Sequence, residues 1–222
     1  MSKELIDFLK KFVFEERFQN FQNVLDYRTR YITVVLEDIY QSQNASAVLR
    51  TSDCFGIQDI HIIENKHIFQ INPDVTLGSS KWLTLNKYNS HQNNSHSAIQ
   101  KLKADGYRII ATVPKNDCTE LEMFDLAKGK VALFFGTELT GLSADTINQA
   151  DEYLKIPMFG FTESFNISVS AAIVLYELTR KLHASEIAWQ LSDNEKNEIL
   201  LVWLKQTLRK PDLLIKKFYH RK

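Results

Sequence analysis

Five apolar runs, each bounded by polar residues, punctuate the middle of the chain: "YITVVLE" (31–37), "DIHIIE" (59–64), "YRIIATV" (107–113), "VALFFG" (131–136) and "YLKIPM" (153–158). They are rich in β-branched and aromatic side chains, and their near-continuous hydrophobicity predicts strands covered on both faces. Helical stretches separate them. The expected architecture is therefore α/β, with a parallel sheet flanked by helices.

The ends of the chain follow a helical period instead. Leu5, Leu9, Phe12 and Val13 share one face of a first predicted helix. Near the other end Ser192 and Glu195 have capping-box spacing, Leu200, Trp203, Leu204 and Leu208 share a face, and Pro211 stops the helix. The helix that follows Asn166 is apolar on two sides. Ile167, Ala171, Val174, Leu175 and Leu178 form one side, and Val169, Ala172, Ile173 and Tyr176 form the other. One side meets the sheet; the second is available to another copy of the chain or to the rest of the monomer.

Three polar islands interrupt this pattern, each just after a predicted strand. In "NASAVLRTSDCFG" (44–56) Asn44 suits an N-cap and Gly56 the residue past a helix end, with Ala47, Val48, Thr51, Cys54 and Phe55 as the buried stripe and Arg50 on its flank. In "FFGTELTGLS" (134–143) Glu138 stands between two glycines, Gly136 and Gly141. In "IPMFGFTESFNISVS" Ser164 and Asn166 precede the two-sided helix. Taken singly, each island reads as a cap or a turn. In a parallel sheet, however, the carboxyl ends of the strands share one edge, where ligands bind. Arg50, Glu138, Ser164 and Asn166 are therefore expected to converge.

Composition narrows the chemistry. The chain has 222 residues, 44% of them apolar, and 27 basic side chains balance 27 acidic ones. No apolar run approaches the roughly 18 residues of a membrane span, and no leader is visible at the amino terminus, so a cytoplasmic protein is expected. Two distant cysteines, Cys54 and Cys118, and six scattered histidines make no metal-ligand spacing, so no metal site is expected. A nicotinamide-type dinucleotide site is disfavoured by the lack of a G-x-G-x-x-G turn. Charge is uneven: Lys205, Arg209, Lys210, Lys216, Lys217, Arg221 and Lys222 face only Asp212 in the final stretch. Such a tail either tracks phosphates or is simply solvated.

Together, N-x-x-A-x-x-R-T at 44–51, F-G-x-E-x-x-G-L-S at 135–143 and I-P-M-x-G-x-x-x-S-x-N-x-S at 156–168 resemble the three motifs of the SpoU-type ribose 2′-O-methyltransferases of the SPOUT superfamily. The resemblance implies a core over residues 29–183 whose C-terminal part forms a deep trefoil knot, with helical extensions at 1–28 and 184–222. It also implies a homodimer and S-adenosylmethionine as cofactor, held near Thr112, Gly136, Ile156 and Phe165. The family usually carries Leu and Val where this chain has Phe165 and Ile167.

The resemblance further implies a catalytic set of Arg50, Asn44, Glu138, Ser164 and Asn166. A guanidinium keeps its protons throughout the physiological range. Arg50 is therefore read as a clamp on the neighbouring phosphate that polarises the hydroxyl. Asn44, Ser164 and Asn166 hold the register; Glu138 either pairs with Arg50 or orients its loop. The implied substrate is a tRNA, with guanosine 18 of the D-loop as the target. Ribosomal RNA, another tRNA nucleotide, or a silent RNA-binding dimer are the alternatives.

Overall fold

The computed structural model describes residues 2–113 and 118–220. The chain divides into two compact units, Arg30–Trp189, and Met1–Thr29 joined with Gln190–Lys222. Where the sequence suggests two separate terminal extensions, the structure gathers the two ends into one unit.

In the central unit the strands are β1 (Ile32–Glu37), β2 (Asp59–Ile63), β3 (Thr84–Tyr88), β4 (Arg108–Thr112), β5 (Thr119–Glu120), β6 (Val131–Phe135) and β7 (Glu152–Lys155). They form one seven-stranded sheet in the order β3-β2-β1-β6-β4-β7-β5, and every pairing is parallel. All six residues of β1 and all five of β6 are buried, which is why their sequences are apolar without alternation. The helices are α3 (Ser42–Cys54), α4 (Pro73–Thr76), α5 (Asn94–Ala104), α6 (Ala144–Gln149) and α7 (Ile167–His183). On one face Ile32, Val34 and Leu36 of β1 pack with Val48 and Leu49 of α3 and Val174 and Leu178 of α7. On the other, Val35 and Phe134 pack with Ile99 and Leu102 of α5. Successive strand residues thus serve opposite cores.

All five expected strands are present, with ends shifted by at most three residues; the run at 153–158 leaves the sheet after Lys155. Two strands escaped the pattern. β3, "TLNKY", is only half-buried, and β5 has two residues, both at sheet edges. The expected stripe on α3 is also rotated. Ala45, Ser46, Val48, Leu49 and Ser52 are the buried residues, while Cys54 is exposed. The helix starts two residues before Asn44, with Gln41 at the cap position. Gly56 does take the left-handed conformation expected past the helix end (φ 74°).

The terminal unit contains α1 (Ser2–Lys10), α2 (Glu15–Leu25), α8 (Asp193–Thr207) and α9 (Pro211–Tyr219). Leu5, Leu9, Phe18 and Phe21 are buried with Leu200, Trp203 and Leu204. Phe21 meets Trp203 edge-on with ring centroids 5.6 Å apart. The first helix ends at Lys10, so Phe12 falls beyond it and is 47% exposed rather than on the buried face. The capping box of Ser192 and Glu195 is formed. Pro211 lies past the end of α8 and also opens α9, where its fixed φ and missing N–H suit a first helical position.

Candidate active site

Ligands of open parallel sheets bind outside the carboxyl ends of strands, where the chain order reverses direction. Here that place lies between β1 and its neighbour β6, since β2 and β3 continue to one side and β4 and β7 lie on the other. The segment after β1 brings Asn44 in the first turn of α3. The loop after β6 brings Glu138, and the segment after β7 brings Asn166. These three side chains meet. Asn166 Nδ2 donates to Asn44 Oδ1 at 3.0 Å and to Glu138 Oε1 at 2.5 Å. Asn44 Nδ2 donates to the same Glu138 oxygen at 2.9 Å, and to Gln41 Oε1. Asn166 also caps α7, its Oδ1 accepting from the Ser168 amide at 2.9 Å. One asparagine therefore both starts a helix and closes the trio.

The loop carrying Glu138 is shaped by backbone. Thr137 and Gly141 exchange hydrogen bonds of 3.0 and 3.1 Å, and Gly141 sits at φ 67°. A Cβ on Gly136 would lie 2.2 Å from the Gly141 carbonyl carbon, so only glycine fits there. Downstream, Ser143 caps α6 and gives its amide and hydroxyl, both at 2.8 Å, to the carboxylate of Glu37 at the end of β1. Thr146 and Ser95 hydroxyls donate to Glu37 as well. Glu37 is 2% exposed; this hub ties the second polar island to the central strand.

Beside the trio opens a cleft of about 500 Å³ that Glu138, Gly136, Thr112, Ser164 and Phe165 all help to line. A smaller adjoining recess of about 70 Å³ adds Ile156 and Met158 and shares Thr112, Ser164 and Phe165. The volume lies within the roughly 300–1,000 Å³ of small-molecule sites, and the lining mixes apolar side chains such as Val113, Phe135 and Leu142 with the polar Thr137, Glu138, Thr140 and Glu163. Thr112 donates its hydroxyl proton to the Phe134 carbonyl at 2.7 Å, which leaves that oxygen only as an acceptor toward a ligand. Among the described residues no cluster is arranged to hold a metal ion.

Arg50 does not join this assembly. It is exposed, no hydrogen bond or ion pair links it to another described residue, and six residues after Asn44 it points about 120° away around α3. Glu138 accordingly pairs with two amides and not with Arg50. Sequence reasoning also missed Gln41 and Glu37. Glu37 looked like the end of an apolar run, because its four donors come from residues 95, 143 and 146 and are adjacent only in space.

The model of the SpoU rRNA Methylase family matches residues 31–176. A tRNA (guanosine(18)-2′-O)-methyltransferase of Borreliella burgdorferi is 48% identical over 204 residues, 92% of this chain and 91% of that protein. One of Thermus thermophilus is 33% identical over 167 residues, 75% of this chain and 84% of that protein. The crystal structure of the A. aeolicus TrmH/SpoU tRNA modifying enzyme superposes with a TM-score of 0.77 at 27% identity, over 88% of this chain and 98% of that one. The SpoU methyltransferase AviRb from Streptomyces viridochromogenes, solved in complex with AdoMet, shares the fold. Its TM-score is 0.60 at 20% identity, over 74% of this chain and 62% of that one.

Proposed function

The chain belongs to the SpoU methylase family, and we propose that it moves a methyl group from S-adenosylmethionine to the ribose 2′-hydroxyl of guanosine 18 in the D-loop of tRNA. The observation that carries this reading is the Asn44–Glu138–Asn166 trio, drawn together from three separate segments, with Glu138 lining the cleft. S-adenosylmethionine, when bound, supplies an electrophilic methyl group on a sulfonium. Thr112, Gly136, Ile156 and Phe165, which line the cleft and its adjoining recess, would hold it. Ser164, which lines both recesses, keeps the register between cofactor and ribose.

The ribose hydroxyl must lose its proton as its oxygen attacks. Arginine, asparagine and serine are poor acceptors at neutral pH. Of the two carboxylates lining the cleft, Glu138 and Glu163, Glu138 is the one hydrogen-bonded into the trio. We assign it the acceptor role, with Asn44 and Asn166 fixing its carboxylate. Arg50 clamps the phosphate beside the target.

Arg50 reaches a site in the homodimer. The second face of α7 supports this: Val169 is 44% and Tyr176 58% exposed in the single chain. Phe55, five residues beyond Arg50, packs against Tyr176 with centroids 6.3 Å apart. A partner covering Tyr176 thus lies next to the Arg50 end of α3. The same reading carries the trefoil knot in the C-terminal half of the core and a cytoplasmic location. The tRNA body is gripped through phosphates by Lys205, Arg209, Lys210, Lys216 and Lys217, all exposed. Arg221 and Lys222 lie outside the described residues.

The test is methyl transfer to unmodified tRNA transcripts, wild type beside Arg50→Ala, with the modified nucleotide mapped. A 2′-O-methylguanosine at position 18, lost in the variant, is the expected result. Methylation elsewhere keeps the chemistry and overturns the target; no methylation of any RNA and no cofactor bound overturns the reading.

A further inference from the structure

One aromatic pair beside the trio has no part in the chemistry above. Tyr40 and His67 lie with ring centroids 5.4 Å apart and planes tilted by 51°. Tyr40 is 45% exposed, and His67 is exposed with Lys66 and Ile68 around it. Both rings are mounted by a single residue. Asp38, at φ 55°, occupies the left-handed region that few non-glycine residues enter. Its Oδ1 accepts the backbone amides of Asn65 and Lys66, both at 2.7 Å, and of His67 at 3.4 Å. The turn that presents Tyr40 and the loop that presents His67 are therefore pinned together by one carboxylate. A strained residue held in this way is a feature of ligand clamps more than of surface loops.

The pair also adjoins the site. Tyr40 lines a small recess with Asn44, Thr137 and Glu138. Gln41 Nε2 donates to Tyr40 Oη at 3.2 Å, and Gln41 Oε1 accepts from Asn44. In a nucleotide the base and the 2′-hydroxyl sit on adjacent ribose carbons. A base lying on Tyr40 therefore leaves its own 2′-hydroxyl within one sugar's width, toward Asn44 and Glu138. We propose that Tyr40, backed by His67, is the stacking face for the base of the target nucleotide, with Lys66 set to meet a flanking phosphate. This assignment rests on the function proposed above and adds a positioning residue to it. Aromatic stacking is sequence-tolerant, since every base offers a π-face. The platform therefore seats the nucleotide without reading its identity.

The test is a double cycle on the full-length protein, using a tRNA transcript and the same tRNA made abasic at nucleotide 18. Tyr40→Ala should weaken binding of the intact tRNA, and raise its KM, by roughly tenfold to a hundredfold. S-adenosylmethionine affinity should stay unchanged, and Tyr40→Phe should remain within about threefold of wild type. Removing the base should weaken wild type by a similar factor and Tyr40→Ala by little more, since the contact is already gone. His67→Ala should shift affinity in the same direction by less, and serves as the second variant if Tyr40→Ala melts early. Additive losses, or a Tyr40→Phe as weak as Tyr40→Ala, overturn the platform. If the additive losses come with a changed oligomeric state, Tyr40 belongs to a contact with a second copy instead. Wild type that binds tRNA without methylating it overturns the proposed reaction alone, and the binding cycle still decides Tyr40.

Discussion

Glu37 closes β1 and Glu138 follows the neighbouring β6, so both lie at the same edge of the sheet, and their surroundings are opposite. Glu37 is buried, with one backbone amide and three hydroxyls donating to it. Glu138 is exposed, and two asparagine amides share a single oxygen of its carboxylate. A buried carboxylate must be fully partnered, because each orphaned polar group costs about 1–3 kcal/mol. An exposed one keeps unused lone pairs that water fills until a substrate arrives. The first arrangement contributes stability and the second leaves capacity for chemistry, so the two acids should fail in different ways.

Breaking the buried hub gives the largest expected effect. Glu37→Ala leaves the Ser143 amide and the hydroxyls of Ser95, Ser143 and Thr146 without their acceptor. The expected loss is about 3–5 kcal/mol, seen as a lower midpoint in urea or heat. Activity per folded molecule should fall less, since the trio itself is untouched. A midpoint within 0.5 kcal/mol of wild type, on the order of an ordinary surface change, would refute the hub.

Glu138→Gln inverts that pattern. The amide preserves shape, and the melting curve should match wild type. The proton acceptor is gone, so methyl transfer should slow by roughly a hundredfold, within the range of general-base removal, while S-adenosylmethionine still binds. Single-turnover transfer to tRNA with calorimetric cofactor titration separates the two quantities. Full activity would overturn the acceptor role of Glu138.

The comparison also explains which parts were legible in the sequence. Strands β1, β2, β4 and β6 announced themselves through apolar runs because burial on both faces demands them, and β7, of which only Leu154 is buried, through the apolar residues that follow it. The buried side of α7, Ile167, Ala171, Val174, Leu175 and Leu178, was legible for the same reason. Asn44, Glu138 and Asn166 stood out because polar side chains clustered after strands need partners. What stayed hidden depended on distance in sequence. Glu37 is joined to Ser143 across 106 positions, and no local pattern encodes that. The α3 stripe was misplaced because two of its buried positions are serines, Ser46 and Ser52, which an apolar pattern does not mark, while the apolar Cys54 is exposed. Arg50 was expected at the trio because motif order says nothing about which way a helix points.

A second buried polar group sharpens the contrast between partnered and poised. His61 on β2 is 7% exposed, and its Nδ1 lies 2.9 Å from the Tyr88 hydroxyl. Burial pushes its pKa down to about 4, against an upward pull from Asp105 and a further lowering by Lys101. Burial likewise raises Tyr88 to about 12, so the pair is neutral across the working range. Unlike Glu37, this group has a single side-chain partner and cannot take up charge without leaving that state. In the unfolded chain the imidazole titrates near 6.5. Between pH 6.5 and 4 the unfolded state therefore binds the extra proton, and stability must fall as pH drops through that window. From pH 7.5 to 5 the expected loss is about 2 kcal/mol, smaller than the effect of removing Glu37. His61→Phe keeps the volume and removes the proton site, so its urea midpoint should be flatter over that interval. A slope identical to wild type would place the acid sensitivity elsewhere, with the carboxylates as the next groups to titrate.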